Sequence, residues 1–362
     1  MFALEYTITL LEPVLVTALD GDPNDAVSLP YIPGSALRGV WVRAFCKNKG
    51  LRELDASSEE HRTLFLNGDV CFLNAYPILP NEASRTLPMP LSFQMEKNNP
   101  KKIGDLAEST IPDDVQWKSM SDPFCTIKDS KVQPIRVNAI LNIHTQRDAK
   151  AGRAKKEDGA VFRYSAIEKR QLFKGVLLSE KREQLEKLKS IAPQRAWIGG
   201  AQSAGYGKVN LTIHEINNEW IETQEDTDID ESENVIVTCL SDVVFRNPNG
   251  TYGTSANDLK TYMGLAHAEL KDVFAKNHTI GGFNRKWGLP LPQTPAIKMG
   301  SVFVFSNLSD AEEAKLLQFK EKGIGERKAE GFGRITLNWH GENNISKPKD
   351  EEGSSCPDRL PV

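Results

Sequence analysis

The chain has 362 residues, of which 39% are hydrophobic and 26% charged, with a mean hydropathy of −0.42 and a formal net charge of −4. This composition is that of a soluble globular protein, and at about 150 residues per domain the length predicts two or three domains. No apolar run approaches the roughly 20 residues that span a bilayer, and the N-terminus lacks a basic flank and a cleavage site, so the sequence predicts a cytoplasmic protein without membrane contact.

The cysteines are scattered along the chain and form no CxxC pair. They are Cys46, Cys71, Cys125, Cys239 and Cys356. This spacing predicts neither a disulfide framework nor a zinc site, so we expect reduced cysteines, most of them in the core, and no metal or other cofactor.

Charge is unevenly distributed. Residues 215–233 hold nine acids and no base, so the rest of the chain carries a net charge of +5. This acidic run is predicted to be a solvated linker. Residues 144–174 carry nine Lys or Arg against four Asp or Glu, and residues 342–362 are predicted to form a disordered tail.

The first half opens with a predicted strand, loop and helix. Residues 2–10 alternate between apolar and polar side chains, as in a strand with one buried face. The segment YIPGSALRGVWVRAFCKN (31–48) places apolar residues at helical spacing, with Ser35 as the predicted N-cap. Strands are predicted over 70–73 and 135–143, an insertion over 75–134, a helix over 177–192 and a strand over 209–213.

The second half repeats this pattern of elements. A long strand is predicted over 235–245, a helix capped by Ser255 runs through Leu265, and a buried strand covers 300–305. Ser309 and Glu312 have the spacing of a capping box and predict a helix that ends at Gly323, before a strand over 335–339.

The repeated order predicts an α+β protein with two ferredoxin-like (RRM-like) units. We expect a first domain over residues 1–214, with the insertion and a basic loop over about 144–174. The acidic linker over 215–233 follows, then a second domain over 234–341 and the tail over 342–362.

Two glycine-rich stretches share one frame. They are IGGAQSAGYGKVNL (198–211) and IGERKAEGFGRITL (324–337), offset by 126 residues, and each is predicted to join a helix to a strand. Glycines leave backbone N–H groups open to a phosphate or to another backbone, Lys208 and Arg334 add charge, and Tyr206 and Phe332 either stack on a base or anchor the loop. The alternative is a tight turn without a ligand. A Walker loop is excluded because Tyr206 stands where it requires lysine.

These residues carry a family resemblance. The element IPGSALRG before an amphipathic helix, followed by a late glycine loop and a weaker second copy of the unit, resembles the RAMP superfamily of CRISPR-associated proteins. The phrases FLNGDVCFLNAYPILP, RTLPMPLSF and PAIKMGSVFVF are also similar to RAMP segments. The likeness covers roughly residues 1–340. It is greatest to the two-unit RAMP subunit of type III, particularly type III-D, effector complexes that holds the 5′ segment of the guide RNA.

The resemblance implies two RNA-binding ferredoxin-like folds with glycine-rich loops. It implies as partners the CRISPR guide RNA, with target RNA nearby, other RAMP subunits and the large polymerase-like subunit. The second half lacks the PGS-x-LRG element, so we expect its equivalent surface to bind protein or nothing.

The candidate RNA-binding residues form five groups. The first helix N-terminus contributes Gly34, Ser35 and Arg38, either as an anion site or as a cap with Arg38 in solvent. The basic loop contributes His144, Arg147, Lys150, Arg153, Lys155, Lys156 and Arg163, which the resemblance places across guide and target strands. The first glycine stretch contributes Gly199, Gly200, Ser203, Gly205, Tyr206, Gly207 and Lys208, and the second contributes Arg327, Lys328, Gly331, Phe332, Gly333 and Arg334. Arg285 and Lys286 form the fifth group.

We expect a non-catalytic RNA-binding subunit. The alternative is a metal-independent endoribonuclease that processes the CRISPR RNA precursor, with His144 as the base. Loop aspartates such as Asp20, Asp22 and Asp148 could mimic the metal-dependent site of backbone RAMP subunits. A third interpretation is a structural scaffold whose glycine loops contact only protein.

Overall fold

A computed structural model describes residues 1–339 apart from 19–24, 81, 83, 100–101, 109–114, 129–130, 146–160, 224–233 and 285–287. Several predicted features therefore lie outside the described residues. They are the tail over 342–362, the basic residues Arg147, Lys150, Arg153, Lys155, Lys156, Arg285 and Lys286, and the aspartates Asp20, Asp22 and Asp148.

The described chain is built mainly from short strands. The helices are α1 Gly34–Lys49, α2 Glu59–His61, α3 Arg182–Ser190, α4 Ala256–Met263 and α5 Asp310–Lys322. The first strands are β1 Phe2–Leu10, β2 Asp25–Val27, β3 Val70–Phe72, β4 Tyr76–Pro77, β5 Leu87–Pro88, β6 Phe93–Glu96, β7 Ile103–Asp105, β8 Trp117–Ser119, β9 Phe124–Lys128, β10 Lys131–Ile135, β11 Ala139–Thr145 and β12 Val161–Ile167. The remaining strands are β13 Leu172–Ser179, β14 Arg195–Trp197, β15 Lys208–Asn217, β16 Asn234–Cys239, β17 Glu269–Phe274, β18 Asn277–Ile280, β19 Phe283–Asn284, β20 Leu289–Pro290, β21 Thr294–Ile297, β22 Val302–Ser306 and β23 Ile335–Leu337.

The first unit, residues 1–223, centres on an antiparallel sheet with strand order β14-β15-β1-β13-β3, with β4 beside β13. The alternation predicted for residues 2–10 is confirmed, because Leu4, Tyr6 and Ile8 are fully buried on one face of β1. Apolar residues of α1 and α3 pack on that face and close the core, among them Trp41 and Leu185.

The second unit, residues 234–339, has an antiparallel sheet in the order β17-β22-β16-β23, with α4 and α5 contributing to its core. Helix α5 begins with the predicted capping box of Ser309 and Glu312. Helix α4 is capped as predicted, because the Ser255 hydroxyl accepts a hydrogen bond from the Asp258 N–H at 3.0 Å. The mixed α/β class predicted from the sequence is therefore confirmed.

The insertion between β3 and β11 forms two three-stranded sheets, β10-β9-β5 and β7-β6-β8. Its own core holds Phe93, Phe124 and Val132 together with two residues of the second unit, Leu240 and Trp339. The insertion therefore bridges the two units.

A further three-stranded sheet contains the two strands on either side of the basic loop. Strands β11 and β12 pair antiparallel from Ala139↔Ile167 to Thr145↔Val161, and β2 adds to β12 in parallel. The strand predicted over 135–143 is present with shifted bounds, since β10 ends at Ile135 and β11 runs from Ala139 to Thr145. The loop between β11 and β12 is therefore shorter than the predicted basic segment.

Other sequence boundaries also need correction. The helix predicted over 177–192 is confined to Arg182–Ser190, because Leu178 belongs to β13 and packs with Ala3 and Val176. Ser35 is not the N-cap of α1, since Pro33 holds that position and Ser35 is exposed within the helix. The strand predicted over 235–245 ends at Cys239.

The prediction of a solvated linker over 215–233 also fails for the first residues of that run. Strand β15 continues to Asn217, and both Glu222 and Thr223 are buried, since the side chain of Glu222 is only 5% exposed. Cys46, Cys125 and Cys239 are buried, as expected for core cysteines, and Cys71 is half-buried. Among the described residues, no helix combines the length and apolar character needed to cross a membrane.

Candidate nucleic-acid interface

The two glycine-rich stretches fold into loops with one backbone path. We name residues 198–207 the first glycine loop and residues 324–333 the second glycine loop. Each contains a short 3-10 turn, Gln202–Ala204 and Lys328–Glu330, entered from a left-handed residue, Ala201 or Arg327. Each is closed at its base by the same hydrogen bond, from Ile198 N–H to Gly207 O and from Ile324 N–H to Gly333 O, both at 2.8 Å. The repeat read from the sequence is therefore a structural repeat.

The last glycine of each loop is required by space as well as by conformation. Gly207 and Gly333 have φ angles of 87° and 75°. A Cβ at Gly207 would lie 2.3 Å from the carbonyl oxygen of Ile198, and one at Gly333 would lie 1.8 Å from that of Ile324. Glycine at these positions thus allows the two sides of the loop base to approach each other.

Several loop glycines donate their N–H groups to backbone carbonyls of the protein. Gly200 donates to Leu15 O at 2.8 Å, Gly207 donates to Pro13 O at 2.7 Å, and Gly205 bonds to Gln202 O within the turn. The second loop makes the equivalent bond within its own unit, since Gly333 N–H donates to Asp242 O at 2.9 Å. Of the two partners that the sequence left open for these N–H groups, a phosphate or another backbone, the structure shows another backbone.

The tip of the first glycine loop faces outward. Ser203, Ala204 and Gly205 are all exposed, and a Cβ at Gly205 would meet no atom within 4 Å. This tip is open to a ligand.

The tip of the second glycine loop lies against the first unit. Gly331 is buried, and a Cβ there would lie 2.8 Å from the carbonyl oxygen of Phe72 at the end of β3. A Cβ at Gly34, the first residue of α1, would lie 1.9 Å from that same oxygen and 2.5 Å from the carbonyl oxygen of Glu330. Three backbone segments therefore meet at van der Waals distance, so this loop joins the two units.

The predicted anion site at the N-terminus of α1 has protein partners instead. The N–H of Gly34 donates to Asn74 Oδ1 at 2.9 Å. Arg38 bonds to Glu330 Oε1 at 2.9 Å, and Arg327 holds the other oxygen of the same carboxylate at 2.6 Å. Arg38 therefore lies between the two units. The sequence had left two alternatives for it, a phosphate contact or solvent, and the structure shows neither.

Tyr206 and Phe332 both anchor their loops. Tyr206 is 3% exposed, and its hydroxyl is bonded to Asn142 Nδ2 at 2.8 Å and to His144 Nε2 at 2.9 Å. Phe332 is half-buried, and the Arg327 guanidinium lies 4.4 Å from the centre of its ring. Of the two functions the sequence left open for these rings, the structure favours anchoring.

Tyr206 connects the first glycine loop to the strands that frame the basic loop. The centre of the His144 ring on β11 lies 4.5 Å from that of Tyr164 and 5.6 Å from that of Phe162, on which it stacks. The Tyr206 ring lies on the same side of the hairpin, 5.8 Å from His144. On the opposite side of the hairpin Arg163 is exposed and pairs in register with Ile143. Residues 146–160 between these strands lie outside the description.

Arg334, predicted to contact RNA, is buried. Its Nε lies 3.3 Å from Glu222 Oε2, and the other oxygen of that carboxylate pairs with Arg85, which also donates to Asn74 O at 2.6 Å. Burial lowers the pKa of Arg334 and of Arg85 to about 10, so both remain cations at neutral pH and depend on Glu222. Arg334 therefore belongs to the joint between the units.

Lys208 has a different environment from its counterpart Arg334. It is half-exposed on β15, directly opposite the exposed Trp197 of β14. The short strand β14 lies between α3 and the first glycine loop, so this loop joins two strands and the predicted helix-to-strand connection holds only for the second loop. Arg195 and Trp197 were missed from the sequence, although the alternation Arg-Ala-Trp-Ile over 195–198 carries the signal of a strand.

Candidate catalytic groups are scattered in the described residues. No group of three or more His, Cys, Asp or Glu side chains is placed to hold a metal ion in the part of the chain that the structure describes. His144 has Tyr206 as its hydrogen-bond partner, and His214 bonds to Thr7 at 2.9 Å on the exposed side of the first sheet.

Comparison with known families identifies the chain. The model of the RAMP superfamily matches residues 7–210, more than half of the sequence. The chain therefore belongs to the RAMP superfamily, as the sequence motifs indicated. A search of curated proteins gave no significant match.

Several solved structures are similar to this chain at a low level. A chain of a type III-B Cmr-beta complex bound to cognate target RNA is 13% identical, with a TM-score of 0.49 over 92% of this chain and 96% of that one. A RAMP protein binding different RNA substrates is 11% identical, with a TM-score of 0.38 over 93% and 99%. The CRISPR-associated protein Cas6 is 9% identical, with a TM-score of 0.36 over 92% and 98%. At these values the likenesses do not decide the function of this chain.

Proposed function

We propose that this chain is a non-catalytic RNA-binding subunit of a type III CRISPR effector complex, where it holds the 5′ segment of the guide RNA. Membership of the RAMP superfamily supports the class. Type III-B Cmr-beta complexes among the similar structures agree with this assignment, without deciding it.

One observation carries the proposal. The first glycine loop presents an exposed tip with no bulky side chain, and Tyr206 ties this loop to the two strands from which the basic loop emerges. A strand of RNA lying on Ser203–Gly205 would therefore lie close to Lys208, which follows the loop at the start of β15 and is half-exposed. Phosphate contacts of this kind position an RNA backbone without reading its sequence.

The sequence of the basic loop adds positive charge to this proposal. Its sequence supplies five cations between residues 147 and 156, and the strands on either side start and end beside Tyr206. Each phosphate contact would add to a salt-dependent affinity.

The second glycine loop has a structural function in this proposal. Its tip, Arg38 and Arg334 together hold the second unit against the first. We propose that the outer surface of the second unit contacts the large polymerase-like subunit and neighbouring RAMP subunits.

The ferredoxin-like assignment of both units is supported by strand order. In each unit the first and third strands are central and the fourth strand lies beside the first, as in β15-β1-β13-β3 and β23-β16-β22-β17. A helix follows the first strand and another follows the third. This is the βαββαβ pattern of ferredoxin-like folds.

A charge placed at the exposed tip tests the proposal. The change Ser203→Glu puts a carboxylate where a phosphate is expected, so binding of guide RNA should weaken roughly tenfold, about 1.4 kcal/mol. The affinity would be measured by fluorescence anisotropy with labelled repeat-derived RNA. Asn249→Glu, at an exposed turn of the second unit, is the matched control and should leave the affinity within about twofold. Equal affinity of both variants and the wild type would overturn the assignment of this tip.

The endoribonuclease alternative retains one favourable observation. His144 lies 2.9 Å from the Tyr206 hydroxyl, and a histidine with a tyrosine partner can supply a base and an acid. Incubation of the protein with labelled repeat RNA in EDTA separates the two functions. Specific cleavage that disappears in His144→Ala would establish the nuclease and contradict the binding-only function.

A further inference from the structure

The first sheet has one face that the helices do not cover. On that face, Ala3, Val176 and Leu178 lie under Met1 and Trp220, so the segment that follows β15 shields one end of it. Nothing in the described residues covers the other end, near the first glycine loop. The open end consists of side chains from β14, the start of β15 and the end of β1.

An exposed tryptophan stands at this open end. Trp197 is 43% exposed, whereas its strand neighbours Ala196 and Ile198 point into the core at 6% and 1%. It makes no hydrogen bond or ring contact with any described residue. Large aromatic side chains are costly to leave in water, and this one makes no evident contribution to the fold.

The surroundings of Trp197 are cationic and polar. Register pairing places Lys208 directly opposite it, with Arg195 opposite Asn210 and Asn210 opposite Thr9 on the same face. Arg170 is exposed at the turn before β13 and donates its N–H to Leu10 O at 2.7 Å, which brings this turn to the same end of the sheet. Among the described residues, neither Lys208, Arg195 nor Arg170 is in an ion pair.

Acidic groups are few around the tryptophan: Glu12, just after β1, donates its backbone N–H to Lys208 O at 3.1 Å, and its side chain is in no ion pair with a described residue. On the described open face the acid of β1 is Glu5, which pairs with Lys174 at 3.3 Å and lies toward the shielded end. An exposed aromatic ring flanked by unpaired cations is complementary to a nucleotide, whose base offers an apolar face and whose phosphates are anionic.

We propose that Trp197 is a stacking subsite for one base of single-stranded RNA, with Lys208 and Arg195 on the flanking phosphates. The subsite rests on the proposed RNA-binding function and adds a position to it. Trp197 immediately precedes the first glycine loop, so an RNA strand that lies on the loop tip continues over the ring. Stacking tolerates any base, so this position holds the strand without reading its sequence.

Removal of the ring tests the subsite. The change Trp197→Ala should weaken binding of an unstructured single-stranded RNA by about 5- to 150-fold, as found for single base-stacking residues. Trp197→Phe keeps a stacking surface and should retain most of the affinity. Tyr262→Ala, which truncates an exposed aromatic residue on α4, is the control and should bind RNA like the wild type.

A strand without bases separates stacking from folding effects. Binding of an abasic strand of equal length should be unchanged in Trp197→Ala, since only phosphates are contacted. Lys208→Ala should weaken both strands and lower the salt slope by about one. Tryptophan fluorescence should be quenched by base-containing RNA in the wild type and less in Trp197→Phe.

Each result decides between the two proposals. Equal affinity of Trp197→Ala and the wild type for base-containing RNA would overturn the subsite and leave the RNA-binding function intact. An equal loss of affinity for both strands would also overturn it, because the effect would then be structural. Failure of the wild type to bind either strand would overturn the subsite and the proposed function together.

Discussion

The two glycine loops have nearly the same backbone and opposite surroundings. Both close with the same hydrogen bond and use glycine where the loop base is narrowest. In the first loop Ser203, Ala204 and Gly205 are exposed, whereas in the second loop Gly331 is buried against β3 and Glu330 binds Arg38. A repeated motif therefore specifies a local shape, and its neighbours decide whether that shape meets a ligand or another part of the chain.

The cation that follows each loop shows the same divergence. Lys208 lies half-exposed beside Trp197, and Arg334 is buried against Glu222. Arginine suits the buried position because its planar fork holds a carboxylate and stays charged, whereas lysine suits a solvent-facing position near phosphates. Single substitutions can test whether the first loop binds RNA and the second loop joins the two units.

The largest effect is expected at Glu222. The change Glu222→Gln removes the carboxylate that faces both Arg85 and Arg334 and leaves two buried cations without compensation. The free energy of unfolding should fall by about 3–5 kcal/mol, as for other broken buried ion pairs. Urea denaturation followed by circular dichroism measures the loss.

A surface pair provides the control for this change. Glu326 bonds to Arg246 at 2.8 Å, and both side chains are more than 40% exposed. Glu326→Gln should therefore cost less than about 1 kcal/mol. Equal effects of the two changes would show that the buried cluster does not hold the units together.

The next largest effect is expected at the contact between α1 and the second loop. In Gly34→Ala the new Cβ would lie 1.9 Å from Phe72 O, so backbone must move and the protein should lose about 3 kcal/mol of stability. Gly39→Ala lies in the same helix with nothing within 4 Å of its Cβ, and it should stabilise the protein by about 0.5–1 kcal/mol. A thermal melt of both variants checks the difference in sign, and a stable Gly34→Ala variant would contradict the close joint.

The smallest effect is expected at Tyr206. Its counterpart in the second loop is Phe332, which has no hydroxyl and packs against Ile280 of β18 and Ala296 of β21. Tyr206→Phe leaves Asn142 and His144 without their shared partner and should cost about 1 kcal/mol. Amide hydrogen exchange should accelerate in β11. Tyr252→Phe, whose exposed hydroxyl bonds to Arg246, should change stability by less than about 0.5 kcal/mol, and unchanged exchange in both variants would show that Tyr206 does not anchor the hairpin.

Local features of the fold were predictable from the sequence. The apolar stripe of α1, the capping box of Ser309 and Glu312 and the repeated glycine frame all depend on residues close in the chain. Boundaries failed where two patterns overlap. Leu178 fits the helical spacing of α3 but belongs to β13, which is buried along nearly its whole length. Strand β16 ends at Cys239, and beyond it the Ser241 hydroxyl accepts a hydrogen bond from Arg334 N–H and the Asp242 carboxylate accepts one from Met299 N–H.

The residue types of the candidate site were predictable from the sequence, whereas their positions in the structure were predictable only in part. Sequence motifs marked Arg38 and Arg334 as cations beside glycine and could not show that Glu330 and Glu222 neutralise them, because these partners are 292 and 112 residues distant. The same limit concealed Trp197, whose exposure depends on which end of the sheet the chain after β15 covers. Long-range packing therefore decides which members of a repeated motif remain accessible.

Crosslinking of guide RNA to this chain in the assembled particle, mapped to single residues by mass spectrometry, tests the division between the loops most directly. We predict crosslinks within residues 197–208 and in the basic loop, and none within residues 329–334. Crosslinks at 329–334 without any at 197–208, or no crosslink to either loop, would contradict it.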